Sequence, residues 1–172
     1  MFYYLNNFFL FSIFGYFLET LMFTILSMHN QSGFLHLIWT PFYGTGVIIA
    51  TLVNKFLESK KILKCKKVIL LGVSLFILLT ILELVGGVLL ELLYGYSLWT
   101  YEHIPLHITK FISIPTSLGW VSFSYLYLFV IKKYTDKLVK KIPKFITISL
   151  LIIFIVDNII TIIQVLKFRS II

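Results

Sequence analysis

Residues Val68 to Tyr94 read VILLGVSLFILLTILELVGGVLLELLY, and this stretch decides the fold class. Nineteen of its residues are Val, Leu, Ile or Phe, and at ~1.5 Å rise per residue a helix of this length exceeds the ~30 Å hydrocarbon core of a bilayer. Each apolar residue favours insertion by about 0.3 to 0.6 kcal/mol, while a central charge costs about 2.5 to 3.5 kcal/mol. The segment therefore inserts even with Glu83 and Glu91 in it. Glu83, Gly87 and Glu91 fall at i, i+4 and i+8 and form one stripe, and Gly86 and Gly87 let another backbone come close.

Composition agrees. The chain is 59% hydrophobic and 13% charged, and a soluble chain of 172 residues has too little interior for that much apolar side chain. A net charge of +8 would suggest nucleic acid in a soluble protein, but twelve of the fifteen basic residues sit in two clusters between apolar runs. The first cluster is Lys55, Lys60, Lys61, Lys64, Lys66 and Lys67. The second is Lys132, Lys133, Lys137, Lys140, Lys141 and Lys144. This is a topology signal with no aromatic-interleaved basic surface, so no nucleic-acid partner is expected. The single cysteine, Cys65, excludes an internal disulfide. No basic n-region or small-residue cleavage site marks a removable leader, so the first helix is expected to stay.

The reading is an all-α, polytopic helical bundle: one membrane domain, residues 1–172, with no soluble domain. Five spans are expected, at about 2–27, 34–57, 68–94, 111–131 and 145–166. Both basic clusters follow an even-numbered span, so the positive-inside rule puts them and the N-terminus in the cytoplasm and the C-terminus outside the plasma membrane. The second span contains Pro41, Gly44 and Gly46, and a kink or partly unwound start is expected around Thr40 to Gly46. A bend that serves packing alone is the rival reading. Gly95 to Lys110 forms a long aromatic outer connection.

With that topology His29, His36, His103 and His107 fall near the outer face, and Glu19, Glu83 and Glu91 in its half of the membrane. Histidines and carboxylates are metal ligands, but no tight ligand spacing appears, and Pro105 stands between His103 and His107. No metal and no cofactor are expected. Glu19 and Glu83 read either as protonated or hydrogen-bonded helix glue or as a pair that handles a proton or substrate. Gly15 one turn before Glu19 and Gly87 one turn after Glu83 would let the two helices approach. Asp157 with Asn158 reads as interhelical glue. No serine nucleophile motif, phosphate-cradling glycine loop or CxxC is present, so an enzyme is the less favoured class.

At these residues the chain resembles the small bacterial membrane proteins described as Putative ABC-transporter type IV, the CmpB-like permeases. The resemblance rests on Gly15, Tyr16 and Glu19; Gly33, Phe34 and Leu35; and Pro41, Phe42, Tyr43, Gly44 and Gly46. It continues through Glu83, Gly87, Glu91, Trp99, Tyr101, Pro105, His107 and Ser117 to Trp120. Tyr16 stands where a Trp is usual, Thr100 where an Asp follows the Trp, and His107 where an Asn is usual. The resemblance implies a bacterial integral membrane protein, the permease part of an ABC transporter with an ATP-binding partner.

The reading that follows is a permease or permease-like subunit with a polar site lined by Glu19, Pro41, Tyr43, Glu83, Glu91, Trp99, Tyr101 and His107. Its partners would be membrane lipids, an ATP-binding subunit and further copies of itself, since five helices make a thin path for a solute. Two rivals stay open. One is an intramembrane enzyme acting on a lipid or lipid-linked substrate through Glu83 or Glu91 with His103 or His107, and the other is a structural or regulatory accessory protein.

Overall fold

The computed structural model describes residues 1–25 and 34–169; His29 and Gly33 lie outside the described residues. Among the described residues six α-helices follow in order: α1 (Phe2–Ile25), α2 (Pro41–Glu58), α3 (Lys64–Tyr94), α4 (Ile114–Leu126), α5 (Lys132–Val139) and α6 (Lys144–Arg169). A π-turn, Tyr127–Ile131, joins α4 to α5 in one rod. Between α3 and α4 the strands β1 (His107–Thr109) and β2 (Ile112–Ser113) pair antiparallel.

Four of these elements are long and apolar enough to cross a membrane: α1, α3, the rod Ile114–Val139, and α6. The expected fifth, 34–57, is different. Its helix begins only at Pro41, and Asn54, Lys55 and Glu58 occupy its last turns, so α2 falls short of the other four in apolar length. Pro41 does not kink a helix; it starts one. Proline has no N–H to leave unpaired in a first turn, and it disfavours helical geometry at the preceding residue, here Thr40.

Other boundaries shift in the same way. Helix α3 starts at Lys64 and the fourth rod runs on to Val139, so several lysines expected in loops are helical. Lysine is a good helix former and its long stem lets the ammonium reach water from the end of a span. At the other end of that rod, Ser113 caps α4: its Oγ accepts from Thr116 N at 3.2 Å, and Pro115 stands in the first turn.

The chain forms two compact units. The first holds residues 1–25, 34–45, 93–95 and 134–169 among those described. Its core packs Phe9, Leu35 and Trp39 against Phe8, Leu150 and Phe154. The rings of Trp39 and Phe154 meet edge to face with centroids 5.8 Å apart. Asn6 binds both ends of the turn before α6, donating to Val139 O at 2.9 Å and accepting from Thr147 Oγ1 at 2.6 Å.

Phe34 to Thr40 in this unit is non-helical, and its position explains why it needs partners. Thr40 N donates to Ser12 O at 2.9 Å, and Ser12 lies ten residues into α1, about 15 Å along it. Non-helical backbone at such depth is stable only where other groups satisfy it. Leu37 N donates to Asp157 Oδ2 at 3.3 Å, and Tyr94 OH donates to Phe34 O at 2.6 Å. Asp157 and Asn158 do not act together as interhelical glue: Asn158 donates to Phe154 O within α6, and Asp157 accepts from the non-helical segment.

The second unit holds residues 46–92 and 96–133. On α3 the buried positions are Leu71, Leu75, Leu79, Glu83, Gly87 and Leu90, so the stripe seen in the sequence runs nearly the whole helix. Tyr127, fully buried in the π-turn, shares a hydrogen bond with Thr51 Oγ1 at 3.0 Å. Thr80 Oγ1 donates to Ser117 Oγ at 2.9 Å between α3 and α4.

Candidate functional site

The second unit gathers most of the polar groups that the sequence singled out. The connection from Tyr96 to Ser113 lies along the last turns of the α3 stripe and meets it at three successive levels. At the deepest, Glu83 Oε1 accepts from Tyr101 OH at 2.6 Å and from Trp120 Nε1 at 3.3 Å. One turn on, a Cβ on Gly87 would stand 2.6 Å from Cγ of Phe111, so only glycine admits that ring. One turn further, Glu91 accepts from Ser97 Oγ at 2.9 Å and pairs with Lys110 Nζ.

Each level has a local cause. Tyr101 is held by its own backbone, since its N–H donates to Lys110 O at 2.7 Å and its carbonyl accepts from Ile104 N at 2.8 Å. The β1–β2 pair closes the far side of this loop and delivers Phe111 and the Ser113 cap together. Phe111 also meets Trp99 edge to face, with centroids 5.7 Å apart. Trp120 projects from the second turn of α4, one turn after Ser117.

Glu83 is the chemically distinctive group. It is 4% exposed, and its Oε2 is buried with no hydrogen-bond partner. Two donors converge on one oxygen while the other keeps its lone pairs. An ionised carboxylate so buried with no cation in contact is expensive. The position is completed by a proton, by a cation, or by a donor on a bound molecule.

The remaining candidates are placed as follows. His107 lies exposed on β1, with Nδ1 on Ile104 O at 3.1 Å, and His103 is exposed in the preceding turn. Among the described residues no group of three or more His, Cys, Asp and Glu side chains is arranged to hold a metal ion. Glu19, Pro41 and Tyr43 belong to the first unit. Glu19 is half-buried on α1, Pro41 opens α2, and the Tyr43 ring fills the space where a Cβ on Gly15 would stand. The groups seated on Glu83 are Tyr101 and Trp120.

Trp120, Ser97 and Lys110 were not singled out as site residues. Trp120 ended the run of resemblance, and its spacing from Ser117 was the available signal. Nothing in the sequence ties Ser97 or Lys110 to Glu91, because those bonds depend on how the loop folds back.

The sequence profile of the family described as Putative ABC-transporter type IV matches residues 6–162. No curated protein and no solved structure matches the chain.

Proposed function

Because the chain belongs to the Putative ABC-transporter type IV family, we propose that it is a permease-like membrane subunit with a polar site built around Glu83. The observation that carries this reading is the asymmetry of that carboxylate: Oε1 is held by two donors and Oε2 is buried without one. Tyr101 and Trp120 fix the group, and the open oxygen receives a proton, a cation or a donor group from a solute. Glu91, Trp99 and His107, in the same unit, belong to this proposal; Glu19, Pro41 and Tyr43 are candidates in the first unit taken by itself.

In this reading α2 with the segment before it is the fifth, broken span, of the kind that transporters use near the middle of the membrane. The lysine-rich ends face the cytoplasm, with the N-terminus, and meet an ATP-binding subunit, while the C-terminus faces outside. More than one copy surrounds the solute path.

Complementation of a deletion strain tests the site, with protein level and membrane insertion checked in parallel. Glu83→Gln should insert normally and fail to complement, whereas Glu91→Gln, whose carboxylate already has Lys110, should complement in part. Full activity of Glu83→Gln at normal level would show that a neutral hydrogen bond suffices there, and the carboxylate site would be wrong. Reporters fused after Lys61 and after Lys167 test the orientation; an external reading after Lys61 overturns it.

A further inference from the structure

In the second unit an apolar groove runs between α3 and α4 and ends among lysines. Ile69, Gly72, Val73 and Phe76 fall at i, i+3, i+4 and i+7 and so share one face of α3, and Leu118 and Val121 line the groove from α4. Together they bound an open cavity of about 360 Å³, within the range of small-molecule sites, about 300 to 1,000 Å³. Gly72 contributes no side chain and Val121 is buried, while Ile69, Val73 and Leu118 are more than half exposed. No polar side chain lines the groove.

Toward the start of α3 the surface changes from hydrocarbon to positive charge. Tyr125 OH donates to Val68 O at 2.7 Å, in the space that a Cβ on Gly72 would fill, so the polar tip of the phenol crosses onto α3 there. Lys66 lies at i−3 from Ile69 and i−7 from Val73, on the face of the groove, and Lys64 opens the helix. Both are exposed, and among the described residues no acid pairs with either. Lys67 bonds Glu58 at 3.1 Å, and the charge of Lys132, where α5 begins, acts on the same carboxylate. Four lysines therefore gather at this end against the one acid.

We infer that the groove holds an acyl chain of an anionic phospholipid whose phosphate rests on Lys64 and Lys66. From Ile69 to Phe76 the groove runs about 10 Å along α3, so it takes the part of the chain nearest the headgroup. Charge decides among the possible occupants. A zwitterionic lipid offers the same chain but brings its own cation to the lysines. A second copy, related by a two-fold axis along the membrane normal, would set these lysines against their own equivalents. A soluble phosphate would leave the hydrocarbon uncovered.

The test uses the full chain in phosphatidylcholine nanodiscs with a trace of phosphatidylglycerol that carries a diazirine near the carbonyl end of one acyl chain, and cross-linked residues are located by mass spectrometry. Labelling is expected within 69–76 and 118–121. Unlabelled phosphatidylglycerol should compete it away, whereas extra phosphatidylcholine and soluble glycerol 3-phosphate should not. Lys64→Gln and Lys66→Gln should each weaken the affinity read from the competition curve about fivefold. Val73→Trp fills the groove from an exposed position, leaves the lysines in place, and should abolish labelling there with unchanged thermal stability. The inference is overturned if the label spreads evenly over the lipid-facing residues of all the helices, or if phosphatidylcholine or glycerol 3-phosphate competes as well as phosphatidylglycerol. It is overturned equally if the double lysine variant keeps wild-type affinity or if Val73→Trp keeps the labelling. None of these outcomes bears on Glu83, whose site lies among other residues.

Discussion

Glu83 on α3 and Asp157 on α6 are both buried acids inside apolar helices, and the chain surrounds them in opposite ways. Two side-chain donors close on Glu83, a phenol and an indole, and an aromatic ring packs on Gly87 one turn further along the helix. Asp157 receives a backbone N–H from a non-helical segment and borders an open groove. An acid held by side chains fixes a loop, and the loop depends on it. An acid that serves backbone keeps a non-helical segment at depth, here with the His36 imidazole of that same segment 3.6 Å from its other oxygen.

The largest expected effect follows from that difference. Glu83→Leu strands two donors, Tyr101 OH and Trp120 Nε1, in an apolar surrounding, at about 1 to 3 kcal/mol for each unsatisfied group. The loss should be about 2 to 6 kcal/mol in an unfolding titration in mixed micelles. Asp157→Leu strands the single Leu37 N–H and should cost about 1 to 3 kcal/mol. Equal losses would mean that the two acids are anchored alike.

These distinctions mark how far the sequence could be read. The α3 stripe was legible because spacing along a helix fixes which residues share a face, and Glu83, Gly87 and Glu91 are locally related. Tyr101 was legible as a candidate through resemblance, although nothing local says that its hydroxyl reaches back eighteen residues to Glu83. The start of the second helix was misplaced because Phe34 to Thr40 is apolar enough to pass as helix. What breaks it is tertiary: Asp157 and Ser12 supply hydrogen bonds that release these residues from helical pairing. His36 with Thr161 and Gln164 was invisible for the same reason, since the partners are more than a hundred residues away.

The next effect in size separates a fitted glycine from an open one. Gly87→Leu must displace the Phe111 ring and should cost about 2 kcal/mol, as overpacking usually does. Gly119 has nothing within 4 Å of a would-be Cβ, so Gly119→Leu should stay within about 0.5 kcal/mol. The same micelle titration decides it, and a Gly87→Leu chain as stable as the parent would mean that the connection does not rest on the stripe.

Smaller again is Tyr101→Phe, which removes one of the two donors on Glu83 and leaves Trp120 in place. About 1 kcal/mol of stability should go. If complementation falls while stability barely moves, the hydroxyl acts on a ligand or proton through Glu83; if both stay at the parent level, the bond is incidental.

The smallest effect belongs to an acid that water already serves. Glu58, at the end of α2 and outside the four apolar spans, accepts from Lys67 Nζ at 3.1 Å and from Asn54 Nδ2 at 3.0 Å. The Lys67 bond, ahead of the Asn54 bond and the charges of Lys67 and Lys132, holds its carboxyl below the ordinary value of 4.5. A carboxyl whose pKa is lower folded than unfolded adds stability where both states are ionised, above about 4.5. That stability fades as the pH falls through the folded-state value, because the unfolded chain takes up its proton first. The side chain is largely exposed, so solvent screening keeps the contribution to about 0.5 kcal/mol or less, and salt should shrink it further. Glu58→Gln should therefore lower the melting temperature slightly at pH 7 in low salt and not at all near pH 3. A difference that persists at pH 3, or that survives high salt unchanged, would mean that Glu58 is held by something other than its charge, and that this exposed acid has more in common with Glu83 than its position suggests.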